Sequence, residues 1–133
     1  MMFVCTHLMF QGGKAQAAVD LYASVFPDFT VVSVEKYGPG DPTPGLIKIA
    51  RIDFHGHLLI VIDSPVPHKF DFTPSMSLFV DFDQAADLDR TFNRLADGGD
   101  VKMPLGDYGF SPRFGWLTDL FGVSWQLNLP KAQ

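Results

Sequence analysis

The chain has 133 residues, 47% of them hydrophobic and 19% charged, enough for one ordinary core or two small modules and too apolar for a disordered chain. Fifteen acidic residues against ten basic ones give a net charge of -5, and no cluster of Lys or Arg offers a footprint for phosphates. Nucleic acid is therefore not an expected partner.

The first strand is expected over residues 3 to 10, with Phe3, Cys5, His7 and Met9 on one face and Val4, Thr6, Leu8 and Phe10 on the other. Cys5 is the single cysteine, which suits a reducing, cytoplasmic setting. The apolar opening carries no basic leader, and the longest other apolar run, Leu58 to Ile62, is too short to span a bilayer, so no membrane role is expected. Gln11-Gly12-Gly13 ends the strand. From Lys14, residues Ala15, Ala18, Val19, Tyr22, Val25 and Phe26 fall at helical spacing until Pro27 removes a backbone donor.

Phe29 to Tyr37 reads as a strand leading into Gly38-Pro39-Gly40-Asp41-Pro42-Thr43-Pro44-Gly45, a density of Gly and Pro that only a surface connection tolerates. Two apolar runs, Ile47 to Ile52 and Leu58 to Ile62, then flank Asp53-Phe54-His55-Gly56, a hairpin signal. Pro65, Pro67 and Pro74 mark a connector. Ser75 to Phe82 is the next expected strand. Asp83 is expected to cap a helix with the stripe Ala85, Leu88, Phe92 and Leu95, and Gly98-Gly99 to stop it. A short strand near Val101 and a loop over 104 to 112 precede the last hairpin, Phe114 to Leu129, reversed at Asp119-Leu120-Phe121-Gly122.

Asp53 and Gly56 thus recur as Asp119 and Gly122, sixty-six residues on, each behind a helix. The echo predicts an α+β fold of two βαβββ modules, residues 1 to 65 and 70 to 133, with helices on the outer face of a curved mixed sheet. If the helices cover the apolar face, Ser124, Gln126 and Asn128 point to the other face, as do His7 and Ser75, and Ile60 is the counterpart of Gln126. Arg113, between Pro112 and Phe114, reads either as a holder of a ligand carboxylate or phosphate or as a salt-bridge partner of one of the many acidic residues, and Trp116 and Phe110 either as a stacking surface for a planar ligand or as core. His55 and His57 flank the Gly56 turn as an HxH pair that the turn itself splays apart.

The stretches Gln11-Gly12-Gly13-Lys14-Ala15, Phe70-x-Phe72-Thr73 before Ser75-Met76-Ser77, and Gly115-Trp116-Leu117-Thr118-Asp119 through Gln126 resemble the PhnB-like branch of the vicinal oxygen chelate superfamily. Proteins of this branch often carry the label demethylubiquinone methyltransferase. The resemblance implies a homodimer with a concave cup in each half of the sheet. Metal-dependent members of the superfamily place four ligands there, which fall on His7, Ile60, Ser75 and Gln126. Only His7 is a first-choice ligand, so the resemblance implies a degraded metal site and no metal.

The expected function is small-molecule binding, with His7, Ile60, Ser75, Phe79, Arg113, Trp116 and Gln126 as ligand-binding residues. Two alternatives stand beside it. One is a metal-dependent lyase or dioxygenase of the same superfamily. The other is the labelled methyltransferase, for which Gly12-Gly13 alone makes a poor cofactor cradle, so no cofactor is expected.

Overall fold

The computed structural model describes residues 1–132; Gln133, the last residue of the expected second module, lies outside the described residues. Its elements are β1 (Thr6–Phe10), α1 (Ala15–Val25), β2 (Phe29–Lys36), β3 (Ile47–Phe54), β4 (His57–Asp63), β5 (Ser77–Asp81), α2 (Ala85–Ala96), β6 (Asp100–Gly106), β7 (Arg113–Thr118) and β8 (Ser124–Leu129). They form two units that divide between Phe70 and Asp71. Each unit holds a four-stranded mixed sheet with the same order, β1-β4-β3-β2 in the first and β5-β8-β7-β6 in the second. In both, the first strand runs parallel to the last and the remaining pairs are antiparallel. This is the α+β, glyoxalase-like architecture, built from two βαβββ repeats.

In the first unit α1 buries Ala15, Ala18, Val19 and Tyr22 along its stripe. The sheet face beneath it carries Leu8, Phe10, Ile47, Ala50, Ile52, Leu59 and Val61, all buried, each large one contributing roughly 1.5–3 kcal/mol. Gly12 and Gly13 turn the chain into the helix with φ of 68° and 75°, a conformation a side chain would strain. No side chain from within the helix caps its start. Instead Asp63, at the far end of β4 and 1% exposed, accepts from Ala15 N through Oδ1 and from Ile47 N through Oδ2, both at 2.9 Å. One buried carboxylate thus fixes the helix start, the end of β4 and the start of β3. At the other end Phe26 N donates to Tyr22 O and Pro27 stops the helix.

In the second unit α2 turns Leu88, Thr91, Phe92 and Leu95 onto Leu117, Trp125 and Leu127. Gly115 of β7 lies under Phe92 so closely that a Cβ there would overlap the ring and stand 2.9 Å from Leu105 Cδ2. The loop between β7 and β8 winds around Asp119, 3% exposed. Its Oδ1 accepts from Phe121 N and Val123 N, and its Oδ2 from the buried Trp125 Nε1 at 2.9 Å.

Several boundaries differ from the sequence reading, each for a local reason. The first strand begins at Thr6, and Met1 to Val4 are exposed. Ser75 is not in a strand: Ser75 N donates to Thr73 Oγ1 and Met76 N to Thr73 O, a turn around Pro74 that delays β5 to Ser77. Asp83 does not cap α2. The N-cap is Gln84, in extended conformation, with no side-chain hydrogen bond. β6 runs on to Gly106 through Pro104, which an edge strand with shifted register accommodates. The two hairpins, read as twins, close differently. Phe54 pairs with His57 across a two-residue turn with φ of 50° at His55 and 86° at Gly56, whereas Thr118 pairs with Ser124 across five residues.

Candidate ligand-binding site

Each sheet has one face under its helix and one face free of it, and strand register says which residues share the free face. In the second unit they form rows across β5, β8 and β7: Ser77, Ser124 and Thr118; Phe79, Gln126 and Trp116; Asp81, Asn128 and Phe114. The rows are knitted by side-chain hydrogen bonds. Gln126 Nε2 donates to Ser77 Oγ at 3.2 Å, Ser77 and Ser124 share a hydrogen at 2.6 Å, and Ser124 Oγ donates to Pro74 O at 3.3 Å. Trp116 Nε1 donates to the same Ser124 Oγ at 2.9 Å. Since Ser124 has one hydrogen, donation to Pro74 makes Ser77 the donor to Ser124, and the chain runs one way from the Gln126 amide.

Two acceptors stand outside this chain. Gln126 Oε1 has no protein partner among the described residues. Asn128 donates through Nδ2 to Asp81 Oδ1 at 2.8 Å, while its Oδ1 is shielded from solvent and unpartnered. Beside them lies an aromatic cluster. Phe79 and Phe114 have ring centroids 6.3 Å apart across β8, and Phe110 and Tyr108 from the β6–β7 loop pack on Phe114 at 4.9 and 6.1 Å. Phe79, Phe110 and Tyr108 are 56%, 57% and 40% exposed, a large apolar surface for three neighbouring rings.

Of the residues expected in the site, Phe79, Trp116 and Gln126 share one row of this face. Ser75 lies in the turn before β5, exposed, with its hydroxyl on Thr73 at 2.9 Å. The serine that the strand brings beside Gln126 is Ser77. Sequence reasoning missed it because the turn chemistry of Thr73-Pro74-Ser75 was read as strand. Arg113 is on the helix side of β7, where Nε and Nη2 hold the two oxygens of Asp89 on α2 at 2.5 and 3.1 Å. That carboxylate raises the guanidinium above its usual range. The expected ligand role of Arg113 is thereby corrected to a salt bridge, because Asp89 already fills the bidentate fork.

His7 and Ile60 are register partners on the free face of the first unit, and Arg51 is the partner of Ile60 on its other side. His55 contacts Asp28 and His57 contacts Thr6, each at 3.0 Å, so the HxH pair is divided between two partners. Among the described residues no three His, Cys, Asp or Glu side chains gather as a cation would need. The positions that the fold family uses for a metal fit one poorly: His7 stands beside the hydrocarbon of Ile60, and Gln126 beside Phe79 and Trp116.

The repeated βαβββ units with a helix on one sheet face define a protein of the vicinal oxygen chelate fold. A family model described as 3-demethylubiquinone-9 3-methyltransferase matches residues 3–128. The chain belongs to that PhnB-like family. It is similar to the PhnB protein from Bacillus cereus, 43% identical with a TM-score of 0.91 over 96% of this chain and 99% of that one. It is 29% identical over 87 residues to Protein YjdN of Escherichia coli (strain K12), a match spanning 65% of this chain and 58% of that relative. A mutant of FosX from Listeria monocytogenes, complexed with Mn(II) and 1S,2S-dihydroxypropylphosphonic acid, superposes with a TM-score of 0.65 over 98% of this chain and 90% of that one; at 11% identity this shows the fold alone.

Proposed function

We propose that the protein binds a small planar molecule on the free face of its second unit, with Gln126 and Asn128 accepting hydrogen bonds and Phe79, Trp116 and Phe110 supplying stacking surface. The observation that carries this is the shielded, unpartnered Asn128 Oδ1, with Gln126 on the same strand face, beside the exposed rings of Phe79, Phe110 and Tyr108 and the half-buried Trp116. An acceptor shielded without a partner costs roughly 1–3 kcal/mol, which a ligand N–H or O–H relieves. The ligand class is therefore a planar aromatic carrying donors, such as a phenol or an aromatic amide.

The methyltransferase of the family description finds less support in these residues. The one helix start that follows a glycine turn, at Ala15, already binds the internal Asp63 carboxylate and is not free for a cofactor. The metal-dependent alternative would draw on His7 and Gln126, whose register neighbours are not ligands. A homodimer and a cytoplasmic location belong to the same reading: each sheet has two edge strands to cover, β2 exposes Val31, Val32 and Val34, and the one thiol suits a reducing compartment.

Titrating phenols and aromatic amides into isotopically labelled protein tests the site. Shifts are expected at Phe79, Gln126 and Asn128, with affinity falling at least about tenfold in Gln126→Leu, the loss of one ligand hydrogen bond. Shifts confined to other residues would sink the proposal. Micromolar affinity for S-adenosylmethionine would favour the methyltransferase, and stoichiometric manganese, zinc, nickel or iron in the purified protein the metal enzyme.

A further inference from the structure

The free face of the first unit has a different character. Its strand β4 turns Leu58, Ile60 and Ile62 outward, with Met9 of β1 beside Ile62. Across this hydrocarbon run the two polar side chains of one row, His7 on β1 and Arg51 on β3, each paired in register with Ile60 from opposite sides. Two strand spacings put their Cα atoms about 10 Å apart. Ser33 of β2 completes the row, so the row holds no carboxylate. The nearest acidic groups on this face are engaged: Glu35 with Lys48 at 3.7 Å, and Asp53 Oδ1 accepting from Gly56 N at 2.7 Å. Among the described residues, neither His7 nor Arg51 has a hydrogen-bond or ion-pair partner.

An unpaired guanidinium is notable in a chain with fifteen acidic residues and ten basic ones. Arg113 and Arg90 both have carboxylate partners, Asp89 and Asp87. Arg51 instead stands on an apolar strip, a weakly hydrated planar cation beside hydrocarbon, suited to an anion that brings its own apolar body.

We infer that the row of His7, Ile60 and Arg51 is a binding site for a small apolar organic acid. Its carboxylate or phosphonate is held bidentately by Arg51, its body lies over Ile60, Ile62 and Leu58, and its far end reaches His7. The site is on the other unit from the planar-ligand face, and it stands or falls without it.

The test uses the whole chain at low ionic strength, titrated with benzoate and phenylphosphonate as anions and benzamide as the neutral isostere, read by amide and side-chain NMR shifts. Saturable shifts at His7, Ile60, Ile62 and Arg51 are expected with the anions. Arg51→Gln should weaken benzoate at least about tenfold, Arg51→Lys less, and neither should change benzamide. His7→Leu should move the probe's far-end contacts while leaving the carboxylate dependence on Arg51. Benzamide shifting His7, Ile60 and Ile62 as strongly as benzoate does, an unchanged benzoate affinity in Arg51→Gln, or no shift on this face would each overturn the inference; benzamide shifts confined to Phe79, Gln126 and Asn128 belong to the other face and do not bear on it. Because Arg51 is exposed, its replacement leaves the fold intact, and an unchanged amide spectrum elsewhere verifies that.

Discussion

The two units are one supersecondary plan written with opposite polarity on the outward side of the last strand. In the first, β4 presents Leu58, Ile60 and Ile62; in the second, β8 presents Ser124, Gln126 and Asn128. Toward the helix the two strands agree, with Leu59 and Val61 answering Trp125 and Leu127, all buried. The helix-covered face is constrained by packing and keeps its chemistry, while the face free of the helix can diverge. The two binding proposals rest on that difference, donor-bearing planar ligands on the second unit and apolar acids on the first.

The units also differ in where they place their buried carboxylate, and replacing it gives the largest expected effect. Asp63 satisfies one backbone donor at a helix start and one at the start of β3, whereas Asp119 satisfies two backbone donors and the Trp125 indole in a hairpin loop. Asp119→Ala leaves three donors without that oxygen and is expected to cost about 3–4 kcal/mol, and Asp63→Ala, with two, about 2–3 kcal/mol. Urea unfolding of both variants would measure the ordering. A smaller loss for Asp119 would show that its loop rearranges to find other acceptors, and the comparison of the units would fail there.

Helix packing supplies the next contrast. Val61 has Ala50 opposite it on β3, and Leu127 has Gly115 opposite it on β7. Ala50 is fully buried with its methyl accommodated, whereas a Cβ at Gly115 would overlap the Phe92 ring. Gly115→Ala is expected to cost about 2–3 kcal/mol by overpacking, and Phe92→Leu in the same chain to recover part of it. Additive losses in the double variant would show that the ring and the glycine are not coupled.

How much of this was legible in the sequence follows from the range of the forces involved. Apolar periodicity places both helices to within a residue or two and most strands, since burial of Tyr22 or Leu127 depends only on spacing, whereas β1 and β5 start later than expected and β6 runs on into the expected loop. The alternation of Ser124, Gln126 and Asn128 with Trp125 and Leu127 likewise identified the free face of β8. Register was not legible. The shift of β5 that replaces Ser75 by Ser77 is set by the Thr73 turn, and the reach of Asp63 to Ala15 spans forty-eight residues. Arg113 and Arg51 could not be told apart by composition: which one is free depends on Asp89 facing β7 from another element. The sequence signal for Arg51 is a charge interrupting the apolar run Ile47 to Ile52.

The smallest expected effect separates those two arginines. Arg113 and Asp89 are each about a third exposed, at 35% and 38% of their side-chain surface, so their bond is screened by water. Arg113→Gln is expected to cost no more than about 1 kcal/mol, a loss that shrinks as salt is added. It should leave binding on both free faces unchanged, because the guanidinium is on the helix side of its sheet. Arg51→Gln should do the reverse, with stability unchanged and anion binding lost. If Arg113→Gln weakened benzoate as much as Arg51→Gln did, the anion would be reading the net charge of the chain, and the distinction between a structural and a ligand-facing arginine would have no basis.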